Sequence, residues 1–340
     1  MNTRRLRHPP SPRPRGAALL LAMLAVALVA TLSAAALWQQ WRALAVESAE
    51  RQRVQTSWIL SGALDWARLI LREDGINNNR QPADHLGEPW ALPLAEARLS
   101  SFLAADRDQS ADSTLEAFLS GDIVDQQGRL NLRNLVTVTD GKVVPSEPDL
   151  AAFTRLFQQL GLPEAELARA LQGLLANSDT SAAAQAEPGV PLLPGRWSQV
   201  AWLGLSPRSL QALAPHATWL PKRTPLNLNT ASAEALYAAL PDIDMALARE
   251  VVAQRQSAHF TSRDNLRQRF PAVGAAVLQS ERFDTMSSHF EVRGRLRLDD
   301  TVIEEVSLIE RISGGSAGIQ LNPLWRERRA ATVRHDGSLQ

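Results

Sequence analysis

Cysteine is absent from this chain of 340 residues. The absence excludes disulfide bonds, thiol catalysis and cysteine-ligated metal centres. It agrees with a periplasmic protein without establishing that location, because cytoplasmic proteins can lack cysteine too. The chain also has no excess of either charge, since 36 lysines and arginines balance 36 aspartates and glutamates. Composition therefore gives no electrostatic indication of a nucleic acid or of an acidic partner.

Charge is missing entirely from the run Ala17–Trp38. At about 1.5 Å per helical residue, its roughly 22 residues span about 33 Å, enough to cross the hydrocarbon core of a bilayer. Five arginines precede the run, in a leader that ends at Arg15-Gly16. Because basic flanks stay on the cytoplasmic side, we expect a single pass through a membrane with a cytoplasmic N-terminus. Everything after Trp38 should then lie outside.

Three interpretations of this segment predict different mature proteins. The segment is a plain N-terminal anchor, a secretory signal removed after Ala34-Ala35-Ala36, or the leader of a type IV pilin-like protein. The apolar run and the arginine leader are both longer than in an ordinary secretory signal. In the pilin-like case, cleavage after Gly16 leaves the whole apolar run in a mature chain that begins at Ala17.

Proline and glycine are missing between Ala17 and Gly62, so a helix begun in the membrane should continue beyond it. Beyond the membrane, charged residues alternate with an apolar stripe at helical spacing. The pattern ends at Asp74-Gly75. We predict one helix over 17–74, whose second half packs on a domain through the stripe Trp58, Gly62, Trp66, Leu69 and Ile70.

Strand periodicity follows the helix in two separate places. After a loop around residues 90–94, a hairpin is predicted from about Thr114, with its turn at 125–128 and a return strand that contains Leu130 and Leu132. Near the C-terminus, apolar residues alternate over 290–298, and Asp299-Asp300 turns the chain into a strand over 302–308. Because a lone hairpin is only marginally stable, both hairpins should share one antiparallel sheet packed on the long helix.

Helical periodicity dominates the region between these hairpins. An apolar stripe over 150–160 is closed by Gly161, and a second stripe covers 167–175. A loop rich in Ala, Ser and Pro spans 177–195. Further helices should begin at Ser206-Pro207, Thr230 and Ser262. The prediction is an all-α domain inserted into an α+β domain.

The chain resembles a known family at four places along nearly its full length. These are the Arg15-Gly16 junction with its apolar run, Leu86-Gly87-Glu88-Pro89-Trp90, the stretch 121–132, and Leu226-Asn227-Leu228-Asn229-Thr230-Ala231. Each motif is weak alone, but their order and spacing are specific. In these motifs the chain is similar to type II secretion system protein K, the large minor pseudopilin.

The resemblance implies a structural and assembly role without catalysis, so we expect no catalytic residue. From the residues themselves we expect no metal and no cofactor. The resemblance also implies that prepilin peptidase cleaves between Gly16 and Ala17 and that Ala17 is then N-methylated, although family members often carry a bulkier residue than alanine after the cut. The subunit would then join two other minor pseudopilins at the tip of a periplasmic pseudopilus. Its further partners would be the major pseudopilin and the inner-membrane secretion platform.

The expected domain organisation combines these elements. The fold class is α+β, a long transmembrane and spine helix packed on a small antiparallel sheet, with a large inserted all-α domain. The predicted boundaries are a prepilin leader (1–16), the spine helix (17–74, of which 17–38 is transmembrane), the first part of the pseudopilin domain (75–146), the inserted domain (147–285), the C-terminal strands (286–325) and a tail (326–340).

Leu21 departs from the usual pilin pattern. Pilin-like subunits usually carry glutamate at the fifth mature position, where it pairs with the amino terminus of the subunit ahead, and cleavage after Gly16 places Leu21 there. An unpaired carboxylate in the membrane is costly, so a subunit with none ahead of it is better without one. Leu21 therefore fits a tip position. The inserted domain, by its bulk, should block growth above it, and partner helices should meet the stripe Trp38, Trp41, Leu44 and Val46.

Residues 226–255 resemble a helix-hairpin-helix, which supports one alternative, a membrane-anchored periplasmic DNA-binding protein of the competence type. In DNA-binding versions, the hairpin reads Leu-Pro-Gly-Ile-Gly and its glycines bring backbone amides against phosphate. Here the hairpin is Leu240-Pro241-Asp242-Ile243-Asp244. Its two carboxylates would repel phosphate, so we expect a packing unit that binds no nucleic acid. Its predicted core is Leu236, Leu240, Ile243, Leu247, Val251 and Val252.

The remaining chemical motifs indicate neither catalysis nor a metal. The stretch 314–318 matches a nucleophile-elbow pattern, but the residues after it do not form a helix pattern, and a loop is expected. Calcium, which family members can bind, is disfavoured because the acidic cluster of the family is replaced by 174–179, and the loop acids Asp106, Asp108, Asp112 and Glu116 lack the EF-hand glycine. Surface or capping roles are expected for the scattered histidines His8, His85, His216, His259, His289 and His335.

Overall fold

The structure is a computed structural model that describes residues 15–78, 82–98, 117–178, 192–274, 278–298, 301–313 and 318–332. The chain divides into two compact units, residues 1–58 and 59–340, which are described separately. Several sequence expectations fall outside the described residues. These are the leader before Arg15, the acids of the 99–116 segment, Asp179, the Asp299-Asp300 turn, residues 314–317, and His8 and His335.

The long helix is confirmed as one element, α1 (Arg15–Asn77), which begins two residues before the predicted start and ends three after the predicted end. In the first unit, the large apolar side chains of this helix are exposed, from Leu19 at 67% to Val54 at 52%. It is long and apolar enough to cross a membrane by length and composition. Apolar surface of this extent requires cover by lipid or by other helices.

The second unit contains the last part of α1, a sheet and a large insertion. In chain order, its further strands and α-helices are β1 (Leu94–Arg98), β2 (Ala117–Asp125), β3 (Leu130–Asn131), β4 (Val136–Thr139), β5 (Lys142–Pro145), α2 (Glu147–Gln159), α3 (Glu164–Ser178), α4 (Pro207–Leu213), β6 (Ala217–Thr218), β7 (Leu226–Asn227), α5 (Ala233–Ala239), α6 (Met245–Ser257), α7 (Arg263–Arg269), β8 (Phe283–Asp284), β9 (His289–Leu298), β10 (Thr301–Ser313) and β11 (Ile319–Thr332). Short 3-10 helices cover Pro89–Ala91, Gln126–Gly128, Leu132–Leu135 and Trp197–Leu203.

Five strands form one antiparallel sheet in the order β1-β2-β9-β10-β11. Strand β9 alternates strictly, with Phe290, Val292, Leu296 and Leu298 buried on one face. This face packs on the end of α1 through Leu60, Leu64, Ala67 and Leu71. The predicted sharing of one sheet by β2, β9 and β10 and its packing on the helix are confirmed.

The predicted apolar stripe of the helix is wrong except at Ile70, which is partly buried against the sheet. Trp58, Trp66 and Leu69 are 74%, 50% and 60% exposed, whereas Leu60, Leu64 and Leu71 are buried. The buried leucines recur at i, i+4 and i+11, a stripe as regular as the predicted one. Local spacing allowed both stripes, and the structure packs the leucine stripe on the sheet face that carries Phe290, Val292 and Leu296. The tryptophans are left on the outside of the helix.

The predicted hairpin at Gly128 is also wrong. Strand β2 pairs with β1 and β9, while β3 pairs in parallel with β6. The Asp125 side chain accepts a hydrogen bond from the backbone N–H of Gln127 (2.8 Å) and starts a 3-10 helix, which directs the chain out of the sheet. The edge strand next to β2 is β1 instead, of which only Leu94 falls in the predicted loop.

The C-terminal region has a third strand that we did not predict. Strand β11 extends to Thr332 and thus includes much of the predicted tail 326–340. Pro323 lies at a bulge, where the register shifts between Leu308 and Ile309. Proline is tolerated on an edge strand because its missing N–H need not serve a neighbour. The expectation that residues 319–323 are not helical is confirmed, since they form the start of β11.

The insertion contains short strands as well as helices, so the all-α prediction is wrong. It leaves the sheet after Asp125 and returns to the adjacent strand at Phe290, and these two residues are register partners. Its core already contains Leu130, Leu132, Leu135 and Val136, together with the leucine and phenylalanine stripes of α2 and α3. A hairpin, β4–β5, turns at Asp140-Gly141 with positive φ at both residues. Helical periodicity was the stronger pattern and obscured these short strands.

The helix starts in the insertion are set by side-chain caps. Ser206 and Ser262 cap α4 and α7 as predicted. Helix α5 is capped by Ser232 and not by Thr230. The Thr230 hydroxyl instead donates a hydrogen bond to the buried Asp125 carboxylate (2.5 Å), so this threonine joins the insertion to the sheet. Gly161 ends the α2 region with φ +62°, as the pattern indicated.

Candidate functional site: the assembly helix and the polar junction

The predicted processing residues Gly16, Ala17 and Leu21 all lie in α1. The Leu21 side chain is 68% exposed, and the leucines before and after it are exposed to the same degree. Their roles in cleavage, methylation and assembly stay predictions. The arrangement can present a continuous apolar surface to lipid or to neighbouring helices.

The predicted contact stripe beyond the membrane is exposed as well. Trp38 and Trp41 are 66% and 80% exposed, and Leu44 and Val46 are also exposed. The Arg42 guanidinium lies 5.8 Å from the centre of the Trp38 ring, a cation–π distance. One turn further, Arg51 and Glu47 form an exposed ion pair at 2.9 Å. This segment thus changes from apolar to amphipathic where it would leave the bilayer.

A network of buried polar groups lies where the insertion leaves and re-enters the sheet. We call it the polar junction: Asp74, Asp84, Asp125, Asn227, Ser287 and Arg311. The Arg311 guanidinium donates hydrogen bonds to the carboxylates of Asp74, at the end of α1, and Asp84, and to the backbone carbonyl of Ser287 (2.8 Å). Arg311 of β10 therefore connects three places in the chain: the end of α1 at Asp74, the segment at Asp84 and the segment at Ser287.

Asn227 makes the second half of the junction. Its Nδ2 lies within hydrogen-bond distance of the Asp84 carbonyl (3.2 Å), the Asp125 carboxylate (3.1 Å) and the Ser287 hydroxyl (2.9 Å). The flanking leucines of the Leu226–Ala231 motif, Leu226 and Leu228, are buried in the core of the insertion. In this motif the leucines pack in the insertion, Asn227 and Thr230 bond to Asp125 at the end of β2, and Asn229 bonds to the backbone of Phe260 within the insertion.

Burial dominates the electrostatics of the junction. It raises the pKa of Asp74 to about 7, with Glu88 and Asp84 adding to the rise and Arg311 opposing it. Burial also raises the pKa of Asp125 to about 6, against hydrogen bonds from Thr230 and Ser287. Nearby aspartates raise the pKa of Arg311 despite its burial. The junction is therefore an ion-pair network of structural type, with the guanidinium at its centre.

Three carboxylates at the junction lie close enough to hold a metal ion. Oxygens of Asp74, Asp84 and Glu88 lie within 4.8 Å of one another. Protein donors already engage them, because Arg311 binds both aspartates, and the backbone N–H of His85 (2.8 Å) and the indole N–H of Trp90 (2.7 Å) bind Glu88. The Leu86–Trp90 motif is thereby explained as a loop that ties buried Trp90 to the junction.

The histidines partly contradict the expectation of surface and capping roles. His216 lies 3.1 Å from the hydroxyl of the capping residue Ser232, as expected. His289 is instead fully buried, and its Nδ1 lies 2.9 Å from the Ser288 hydroxyl. Burial lowers its pKa to about 4. His85 and His259, far apart in sequence, stack with ring centres 3.9 Å apart.

The helix-hairpin-helix prediction is confirmed for its packing. Helices α5 and α6 are joined by residues 240–244, and Leu236, Leu240, Ile243 and Val251 are buried, with Leu247 and Val252 partly buried against the same core. The Asp244 carboxylate accepts a hydrogen bond from the N–H of Leu247 (2.8 Å) at the start of α6. A carboxylate of the protein thus occupies the place where a DNA phosphate would bind. The DNA-binding alternative is not supported.

Sequence reasoning missed the polar junction. Arg311 and Asp74 are 237 residues apart, so no local pattern joins them. A partial indication was available in β10, where residues 305, 307, 309 and 311 share the face that packs on the helix. A buried arginine at a core-facing strand position requires a buried acidic partner. That requirement could have indicated a polar junction around Arg311.

Comparisons with known proteins agree with this geometry. Two family models, both described as type II secretion system protein K, match residues 128–222 and 226–285. Type II secretion system protein K of Pseudomonas aeruginosa is 30% identical over 320 residues, covering 88% of this chain and 90% of that protein. The fold is similar to a chain in the crystal structure of the GspK-GspI-GspJ complex of enterotoxigenic Escherichia coli, with a TM-score of 0.61, 18% identity, and coverage of 83% of this chain and 98% of that one. The chain belongs to the type II secretion system protein K family, the large minor pseudopilins of that system.

Proposed function

We propose that this minor pseudopilin nucleates and caps the tip of the periplasmic pseudopilus used for protein export across the outer membrane. The observation that carries the proposal is the combination of an exposed apolar helix with leucine at position 21. A pilin-type helix without a carboxylate at the fifth mature position has no group to pair with a subunit ahead of it. Such a subunit is suited to the first position of a filament.

The anchor and its processing are part of the proposal. Prepilin peptidase would cleave after Gly16, and Ala17 would become the N-methylated first residue. The helix would then hold the subunit in the inner membrane, with its N-terminus cytoplasmic and the second unit periplasmic, until assembly. The arginine leader supports this orientation, because basic flanks are retained on the cytoplasmic side.

The proposed partners are two other minor pseudopilins, followed by the major pseudopilin, the prepilin peptidase and the inner-membrane platform. The solved relative is part of a three-protein complex, which supports a tip of this composition. We propose a structural role without catalysis or a resident cofactor. The insertion, residues 126–288 between adjacent strands β2 and β9, is proposed as the bulk that prevents a further subunit from stacking above.

The tip position is tested with Leu21→Glu. The full chain is co-expressed with prepilin peptidase and its two partner minor pseudopilins, and the ternary complex is purified from membranes. Recovery should fall severalfold, since a carboxylate inside the apolar run, near its cytoplasmic end, is costly when nothing pairs with it. Protein secretion should fall with it.

Leu21→Ala is the matched control, because it removes the leucine without adding a charge. This variant should retain both the complex and secretion. Wild-type recovery and secretion with Leu21→Glu would refute the explanation of the missing carboxylate. Loss of both with Leu21→Ala would show that the leucine side chain itself, rather than the absence of charge, is required.

A further inference from the structure

A groove of about 770 Å³ lies in the second unit, between the outer face of the sheet and the insertion. The sheet contributes the face opposite the helix, on which the register aligns Arg293, Val306 and Glu327 in one row across three strands. The insertion contributes Trp197 and Trp219. We call this space the arginine groove, because five arginines line it against three glutamates.

The three glutamates of the arginine groove are already neutralised. Glu291 accepts from Nε of Arg293 and Glu304 accepts from Nε of Arg295, both at 2.8 Å. Glu327 accepts from Nη1 of Arg196 (2.7 Å) and Nε of Arg329 (3.0 Å), which joins the insertion to β11. These pairs leave no glutamate of the groove free to bind the fifth arginine, Arg129.

Arg129 makes no ion pair with a carboxylate in the part of the chain that the structure describes. Its shortest side-chain hydrogen bond is a long one, 3.4 Å from Nη1 to Oε1 of Gln126, and among the described residues no carboxylate oxygen lies within ion-pair distance of it. Burial lowers the pKa of Arg129, with Arg293 adding to the effect and Glu291 and Asp125 opposing it. A half-buried guanidinium beside a second arginine favours the binding of an anion from outside the protein.

The unpaired buried atoms of the groove are both hydrogen-bond donors. Gln126 is 3% exposed; its Oε1 accepts from the Thr218 hydroxyl (2.9 Å), and its Nε2 has no partner in the described part of the chain. Nε1 of Trp325 is likewise buried without a partner. Buried donors without acceptors are costly. A ligand that brings oxygen acceptors would satisfy both atoms and Arg129.

The size and walls of the groove restrict the anion. Its volume lies within the range of about 300–1,000 Å³ of sites for organic ligands and exceeds the need of a single inorganic ion. Val306, Leu308 and the tryptophans give it apolar walls. Carboxylates on a chain with apolar neighbours match the groove best.

We propose that the arginine groove is a docking site for an acidic peptide segment of another protein, with a carboxylate bound by Arg129 and Gln126. The proposal is independent of the tip position argued above. The docking proposal concerns the second unit alone, whereas the tip position rests on the first helix. Either proposal can therefore be refuted without refuting the other.

The test measures binding of a fluorescent acetylated peptide, Ser-Leu-Glu-Leu-Glu-Ser amide, to the full chain in detergent by anisotropy. Binding should be saturable, and the counterpart with Gln in place of Glu should bind about tenfold more weakly or worse. Arg129→Gln should lower the affinity for the acidic peptide by about tenfold. Arg249→Gln makes an equal charge change on the exposed side of α6 and should leave that affinity unchanged.

Trp325→Phe is the second variant, because it removes the indole N–H and keeps an aromatic ring; it should weaken binding by severalfold even if Arg129→Gln fails to fold. Equal affinity for the Glu and Gln peptides would overturn the proposal. So would equal effects of the Arg129 and Arg249 changes. Displacement of the peptide by inorganic phosphate, beyond that caused by chloride at the same ionic strength, would show a general anion site and would also overturn it.

Discussion

At the residue scale, the polar junction shows how single side chains connect distant parts of the second unit. The Asn227 amide nitrogen lies within hydrogen-bond distance of a carbonyl, a carboxylate and a hydroxyl from three different segments, and the Arg311 guanidinium donates to two carboxylates and a carbonyl. Charged groups that are removed from water must be matched in this way, or burial would cost several kcal/mol. The junction therefore fixes the orientation of the insertion on the sheet through bonds that only one arrangement satisfies.

His289 gives the second unit a defined response to pH. Its folded pKa is about 4, against an ordinary value of 6.5, so the unfolded chain binds the proton more tightly. Stability from this group is complete above pH 6.5 and is lost as pH falls toward 4. Between pH 7 and pH 5, the wild type should lose about 2 kcal/mol more than His289→Asn, as measured by urea unfolding at each pH.

The raised pKa values of Asp74 and Asp125 act in the opposite direction, because their folded forms retain protons that the unfolded chain releases as pH rises from about 4 to 7. For this reason the readout is the difference between the two proteins and not the absolute slope. His259→Gln serves as control, since His259 is only partly buried and should change the slope less. Identical slopes for the wild type and His289→Asn would contradict the assignment of a buried neutral histidine.

At the element scale, the last part of α1 is held by an aliphatic stripe, and this can be measured. Leu64 packs in the cluster that contains Trp90, Phe290 and Ile309. Leu64→Ala should lower the free energy of unfolding by about 2–5 kcal/mol, because it leaves a cavity in that core. Leu69→Ala, on the exposed side of the same helix, should change it by less than about 0.5 kcal/mol.

Urea unfolding of both variants, followed by tryptophan fluorescence, provides the comparison. If Leu69→Ala were the more costly change, the tryptophan side of the helix would be the packed one, as the sequence pattern had indicated. The sheet would then lie on the other face of α1.

The elements that sequence predicted correctly are those with a long and uninterrupted pattern. The absence of proline and glycine was sufficient to predict α1, and strict alternation of apolar and polar residues was sufficient to predict β9. Strands of two residues, such as β3 and β6 or β7 and β8, pair in parallel across many residues and carry no local periodicity. Strand β11 was not predicted because proline, here Pro323, is unfavourable within a strand. It is tolerated only at an edge or a bulge, and the sequence alone shows neither.

The candidate site also has one part that the sequence could predict and one part that it could not. The apolar run and the positions of Gly16, Ala17 and Leu21 follow directly from the order of residues, while the polar junction depends on contacts between residues more than 100 positions apart. The Leu226–Ala231 and Leu86–Trp90 motifs were visible as motifs. Their physical meaning appeared only when Asn227 and Glu88 were found with their bonded partners.

At the scale of the whole molecule, a single topological feature accounts for the size of the second unit. The insertion leaves after β2 and returns at β9, and the two strands are neighbours in the sheet. The sheet is therefore complete without the insertion, and the insertion has its own core. We propose that its boundaries are residues 126 and 288, wider than the 147–285 expected from helical periodicity, because residues 130–136 already belong to its core.

The central claim is that the chain is made as a prepilin and enters a filament through its first helix. The most direct test is to express the full chain with and without prepilin peptidase and to determine the amino terminus of the membrane-bound product by intact mass and fragmentation. We predict a start at N-methylated Ala17 that depends on the peptidase. An uncut Met1, or a start near Leu37 whether or not the peptidase is present, would contradict the claim.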